Sequence, residues 1–150
     1  MLFRSYFHDE IGFNYRMGGL EGASLNVKLK YLEGWNNRRR AIATRYRNEI
    51  TNPKITLQQK PEWADGVSYL FVVTTENKDA LIKHLADHQI TAAFHYPVSC
   101  HLQKAYTHLG YQRGDFPKSE YLADHCVSLP MYAELTDEEV GRVINTVNAF

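Results

Sequence analysis

GLEGASLNVKLKYLEGWNNRRRAIATRYRNEI, running from Gly19 to Ile50, is the stretch whose reading decides the fold. Its apolar positions fall at Leu20, Ala23, Val27, Tyr31, Trp35, Ile42, Tyr46 and Ile50. Steps of three, four or their sums keep these residues on one face of a helix. The spacing therefore predicts a single long amphipathic helix over residues 19–50. Gly34 is its weak spot, open to a bend or break, because an interior glycine costs about 1 kcal/mol relative to alanine. Such a helix is far longer than the usual run of about 11–12 residues. It is expected to link two bodies, or to pack against a partner outside these residues.

Outward from that helix the signals shorten. Asn52-Pro53 ends it, and a polar stretch runs to Gly66. Val67 to Thr75 is β-branched and aromatic on both faces, which predicts a buried strand. Asn77 is placed to cap a helix with Ala80, Leu81 and Leu85 on its apolar face. Ile90 to His95 reads as the next strand, stopped by Pro97. Helical patterns follow at Leu102–Leu109 and Lys118–His125, with a turn-rich connection from Gly110 to Pro117 between them. A short strand, Cys126 to Leu129, precedes Pro130. Thr136-x-x-Glu139 is a capping box, and Val140, Val143, Ile144 and Val147 form the apolar stripe of a last helix. The sum is α+β (mixed α/β): a long helix, then a β-α-β-α-β-α unit.

The 150 residues carry 17 basic and 17 acidic side chains, 44% hydrophobic and 23% charged. That is a globular composition, and its zero net charge lacks the basic footprint of a nucleic-acid binder. The densest basic run, Arg38-Arg39-Arg40, falls within the helical pattern and reads as a solvated face near Glu33 and Glu49. Cys100 and Cys126 have no C-x-x-C spacing and no secretory segment precedes them, so a reduced, cytoplasmic protein is expected. No apolar run approaches the roughly 20 residues of a membrane span.

Two loops carry candidate chemistry. Gly12-Phe13-Asn14-Tyr15-Arg16-Met17 stands just before the long helix, where an amide and a guanidinium could meet a phosphate or merely stabilise the turn. His95-Tyr96-Pro97, with His101 six residues after His95, ends a predicted strand. It suits either binding and proton handling or histidines bonded to backbone. His84 and His88 have chelating spacing, but Leu85 stands where a metalloprotease helix needs glutamate, so a solvated face is preferred. No third ligand of convincing type accompanies any histidine pair, and no metal is expected. Gly110 to Pro117 lacks both phosphate-loop arrangements, and nothing completes a triad around Cys100 and His101.

Several blocks, in order, resemble one family. They are Ile11 to Met17, Leu25 to Leu32 with Trp35 and Arg39, and His95-Tyr96-Pro97 followed by His101-Leu102-Gln103. Ala105-Tyr106, Leu109-Gly110-Tyr111, Gly114 to Pro117 and Ser128 to Tyr132 complete the set. Together they are similar to the DegT/DnrJ/StrS family of pyridoxal-phosphate-dependent sugar aminotransferases, over nearly the whole chain. The Asn26-Val27-Lys28-Leu29-Lys30 and Trp35 details look most like members that aminate nucleotide-linked keto-deoxysugars.

The resemblance implies the carboxy-terminal portion of an aspartate-aminotransferase-like fold. Residues 1–18 would be an active-site and interface loop left from the large domain, 19–50 the connecting helix, and 51–150 the small domain. It also implies a homodimer with active sites at the subunit interface, and glutamate as amino donor. Asn14 would reach the phosphate of pyridoxal phosphate across the dimer. Tyr15 and Arg16 would hold the loop and meet substrate. His95 and Tyr96 would lie near the nucleotide sugar, and His101 is a further candidate. The family's Schiff-base lysine lies upstream of the block that opens this chain, and none of the eight lysines here stands in its context. The isolated chain is therefore expected to be inactive and not to retain the cofactor. The alternative is a stand-alone nucleotide-sugar-binding or dimerisation module derived from the family. Glu21, where the family usually carries glutamine, and Tyr69, where histidine is common, bear on substrate choice.

Overall fold

The computed structural model of the chain describes Phe13 and residues 15–150. Asn14, the expected phosphate contact, lies outside the described residues. The chain divides into two units, residues 1–33 and 34–150.

In the first unit, helix α1 spans Gly19–Leu29. The Gly18 N–H donates to Glu21 Oε2 at 3.0 Å, so a carboxylate closes the open N-terminus. Glutamine offers the same acceptor, so the substitution to Glu21 leaves the cap intact. No residue of α1 is buried. Leu20 is 85% exposed, and Leu25, Val27 and Leu29 are exposed as well. At about 100° per residue, Leu20, Ala23 and Val27 share one face while Leu25 and Leu29 fall near the opposite one. A helix apolar on both sides is built to be covered.

The single helix expected over residues 19–50 is broken, and not at Gly34. Lys30 and Tyr31 form a turn in which the Tyr31 N–H bonds the Lys28 carbonyl at 3.0 Å, a tightened i→i−3 closure. Helix α2, Leu32–Glu49, begins just after and carries Gly34 in its first turn, where the glycine penalty is too small to end it.

In the second unit, a three-stranded antiparallel sheet has the order β1 (Thr56–Leu57), β2 (Phe71–Thr74), β3 (Cys126–Leu129). Phe71 pairs with Leu129 and Thr74 with Cys126. Phe71, Val73, Val127 and Leu129 share one face because side chains alternate along a strand. They pack with Ile42 and Tyr46 of α2, with Leu81 and Leu85 of α3 (Lys78–Asp87), and with Val140, Val143, Ile144 and Val147 of α5 (Asp137–Asn148). Tyr46 is fully buried; its hydroxyl donates to the Pro130 carbonyl at 2.9 Å and burial pushes its phenol pKa up. The Thr136–Glu139 capping box opens α5 as expected.

Several expectations change here. The arginine run is a fastening, not a solvated face: Arg38 pairs with Asp137 at 2.9 Å and Arg40 with Asp65 at 3.3 Å. His84 is half-buried, with Nε2 3.0 Å from the Thr146 carbonyl of α5. The strand expected over Ile90–His95 shrinks to one bridge, Ala93 with Ser128. Leu102–Leu109 is not α-helical but a pair of 3-10 turns, Cys100–Leu102 and Lys104–Leu109. Helix α4 (Pro117–His125) and β3 fall where the sequence put them.

Candidate functional site

Cys126 and Ser128 are two residues apart on β3, so both project to the sheet face opposite the core. The Ala93–Ser128 bridge lays the following segment over that face. His95 is thereby fixed: its Nδ1 shares a 2.9 Å hydrogen bond with Ser128 Oγ, the ring's tautomer deciding which group donates. Cys126 Sγ lies 3.9 Å from the His95 carbonyl, as a weak donor. The Tyr96 ring meets that of His95 edge-on at 5.4 Å, and Tyr96 is 73% exposed. His95 and Tyr96 are consecutive in the chain, and their rings stay in contact.

Two cavities flank His95. The larger, about 470 Å³, lies over the outer sheet face between Leu57, Gln58, Val72, Thr74 and Leu122. The smaller, about 210 Å³, is bounded by Tyr96, Ser99, Cys100 and Ser119. Ser99 is 6% exposed, yet its hydroxyl has no hydrogen-bond partner among the described residues. A buried hydroxyl beside a cavity is set to bond whatever enters. Sequence reading passed over Ser99 and Ser128, because neither stands in a spacing that marks it.

His101 is elsewhere. Its Nε2 sits 2.9 Å from Glu120 Oε1, and both side chains are only 8% exposed. Glu120 also accepts the Gly114 N–H on both oxygens at 2.9 Å and the Phe116 N–H at 3.2 Å. Desolvation alone would raise the Glu120 pKa. The backbone donors of Gly114 and Phe116, with His101 behind them, outweigh it and hold the carboxyl below its ordinary range. The Phe116 ring closes over His101 at 4.8 Å. This knot pins the turn expected between Gly110 and Pro117.

Tyr15 and Arg16 belong to the other unit. Tyr15 is 88% exposed and stacks on Phe13 at 5.4 Å; Arg16 is exposed. Among the described residues, no group of three or more His, Cys, Asp or Glu is gathered as a metal site. None of their helices is long and apolar enough to cross a membrane.

This fold, a three-stranded antiparallel sheet with helices packed on one face, matches solved sugar aminotransferases. S. venezuelae DesV, in complex with a ketimine intermediate, superposes with a TM-score of 0.91 at 34% identity, over 99% of this chain and 40% of that one. A DegT/DnrJ/EryC1/StrS aminotransferase from Brucella abortus gives 0.85 at 29% identity, over 97% and 39%. The chain belongs to the DegT/DnrJ/EryC1/StrS aminotransferase family, whose pattern matches residues 2–148. It is 41% identical over 147 residues to the erythromycin biosynthesis sensory transduction protein EryC1 of Saccharopolyspora erythraea, covering 97% of this chain and 40% of that one. It is 40% identical over 139 residues to dTDP-3-amino-3,6-dideoxy-alpha-D-galactopyranose transaminase of Aneurinibacillus thermoaerophilus, covering 93% and 38%. The chain thus spans about 40% of the length of these relatives and corresponds to their carboxy-terminal portion.

Proposed function

We propose that this chain forms the carboxy-terminal part of a pyridoxal-phosphate-dependent enzyme that aminates the keto carbon of a nucleotide-linked keto-deoxysugar, with glutamate as donor. The observation that carries this reading is the family match, joined to relatives named as transaminases of nucleotide-linked amino sugars. In that assembly, a homodimer, residues 1–18 supply an active-site and interface loop, the helical stretch 19–50 connects, and 51–150 form the small domain. Asn14 serves the cofactor phosphate across the dimer, and Tyr15 and Arg16 hold the loop beside substrate.

His95 and Tyr96 are the groups best placed for the sugar nucleotide. With Nδ1 engaged by Ser128, His95 keeps Nε2 as its second polar atom, beside two cavities. The Tyr96 phenol is open to bond a hydroxyl or phosphate oxygen. Leu57, Val72 and Leu122 give the larger cavity an apolar wall that excludes water from a bound sugar. His101 is the weakest of the assigned residues, because its Nε2 is already held by Glu120.

The cofactor, when bound, supplies the electron sink for amino transfer. The residues present do not fit it by themselves. None of the eight lysines lines either cavity beside His95. Lys54 and Lys78 donate to the Phe150 and Ala123 carbonyls, and Lys83 pairs with Asp87 at 2.6 Å. The essential lysine is therefore assigned to a large domain outside these 150 residues.

The test is reconstitution. The 150 residues alone should neither bind the cofactor nor aminate a dTDP-linked keto sugar. Joined to the lysine-bearing domain of a relative, they should do both with glutamate. A fusion that holds the cofactor yet never turns over any keto-sugar nucleotide would overturn the reading. Saturable nucleotide-sugar binding by the chain alone, with that same inert fusion, would point instead to a binding module.

A further inference from the structure

Arg40 and Arg47 stand seven residues apart on α2, two helical turns, and so share a face. Both meet the connection between β1 and β2, but they are treated differently. Arg40 is answered by Asp65 of that connection at 3.3 Å. Arg47 has no carboxylate partner and no hydrogen-bond acceptor among the described residues. Its guanidinium lies 5.6 Å over the Phe71 ring, and its Nε is buried without an acceptor.

What faces Arg47 is a polar cavity of about 210 Å³, lined with Gln58, Gln59, Lys60, Ser68 and Phe71. Two cations, two amides and a hydroxyl converge there, and no acidic residue lines it. Its volume is several times the roughly 30 Å³ share of a water molecule. A half-buried guanidinium demands a charged acceptor, and its planar N–H fork matches the two oxygens of a carboxylate or phosphate. We propose that this cavity binds a small oxyanion, a phosphoryl or carboxylate group, forked by Arg47 with Lys60 as the second cation. The site is separate from His95, although Gln58 and Val72 line both this cavity and the larger one beside His95. It does not depend on the aminotransferase reading.

The direct probe is the Arg47 Nε–Hε resonance, followed by nitrogen-15 NMR as inorganic phosphate, and separately glutarate, is titrated at constant ionic strength with chloride. Saturable shifts at Arg47, Lys60 and Ser68 with phosphate would identify a phosphoryl site, and with glutarate a carboxylate site. Arg47→Met should weaken that binding at least about tenfold, the loss of one charge-assisted fork. Lys60 is exposed, so Lys60→Gln leaves the core alone and should weaken binding roughly threefold. Saturation by neither anion, shifts that survive in Arg47→Met, or an affinity unmoved by Lys60→Gln would each overturn the proposal.

Discussion

His95 and His101 lie six residues apart on one connection, carry the same sequence signal, and end in opposite chemical situations. His95 is steadied by the hydroxyl of Ser128, with cavities on both sides. His101 is gripped by a carboxylate that also collects the Gly114 and Phe116 N–H groups. A neutral hydroxyl orients a ring and leaves its other nitrogen for a ligand. A carboxylate already shared among backbone donors makes the ring part of the scaffold. The nature of the partner separates the histidine we propose for binding, His95, from the one held in the scaffold, His101.

That contrast breaks first if the two rings prove equally important to stability. His101→Ala should destabilise by about 2–3 kcal/mol, because it opens the space under Phe116 and strips one donor from a buried carboxylate. His95→Ala should lose about 1 kcal/mol, since only one neutral hydrogen bond goes. Urea unfolding of both variants reads the difference directly, and equal midpoint shifts would dissolve the distinction.

The knot itself makes the next prediction. Gly114 has φ +103°, a conformation that side chains rarely adopt, while among the described residues nothing lies within 4 Å of where a Cβ would stand. Gly114→Ala should therefore cost about 1–2 kcal/mol through backbone strain alone, with no clash. Gly34→Ala, also in open space but helical, should stabilise by up to about 1 kcal/mol. Thermal melts of the pair separate strain from crowding.

Acid unfolding gives a third view. The folded Glu120 carboxyl titrates below its ordinary value of 4.5, so the unfolded chain takes up that proton first. The stability it contributes is complete above that value and disappears as pH falls through the lower, folded one. Glu120→Gln should flatten the stability curve on that acid limb. A slope unchanged from the parent would place the acid sensitivity elsewhere.

These sites show where sequence reading reaches. Helix α5 was legible because its cap and stripe are local: Thr136 and Glu139 bond each other, and Val140, Val143, Ile144 and Val147 keep helical spacing. β3 was equally plain, a short strand from Cys126 to Leu129 ended by Pro130. The break at Lys30–Tyr31 was not legible, because neither residue is a helix breaker and the obvious suspect, Gly34, stayed helical. β1 was missed because it is two residues long, and Ile90–His95 was over-read because only Ala93 finds a partner. His95 and Tyr96 stood out at an apparent strand end. Ser128 and Glu120, which decide the fates of the two histidines, are 33 and 19 residues away from them. Pairings at that range belong to the folded chain and leave no local spacing to read.

The smallest expected effect tests the His95 side alone. Ser128 is buried, and Ser128→Ala removes the hydroxyl that fixes the His95 ring. Stability should fall by only about 0.5–1 kcal/mol, because a water in the adjoining cavity can satisfy Nδ1. The ring's orientation, however, depended on that bond. In the reconstituted aminotransferase, Ser128→Ala should therefore raise KM for the sugar nucleotide roughly threefold to tenfold with little change in cofactor retention. Ser128→Thr, which keeps a hydroxyl, should recover most of the loss. A variant that melts earlier but binds substrate as the parent does would make Ser128 a packing residue and His95 no better placed than His101.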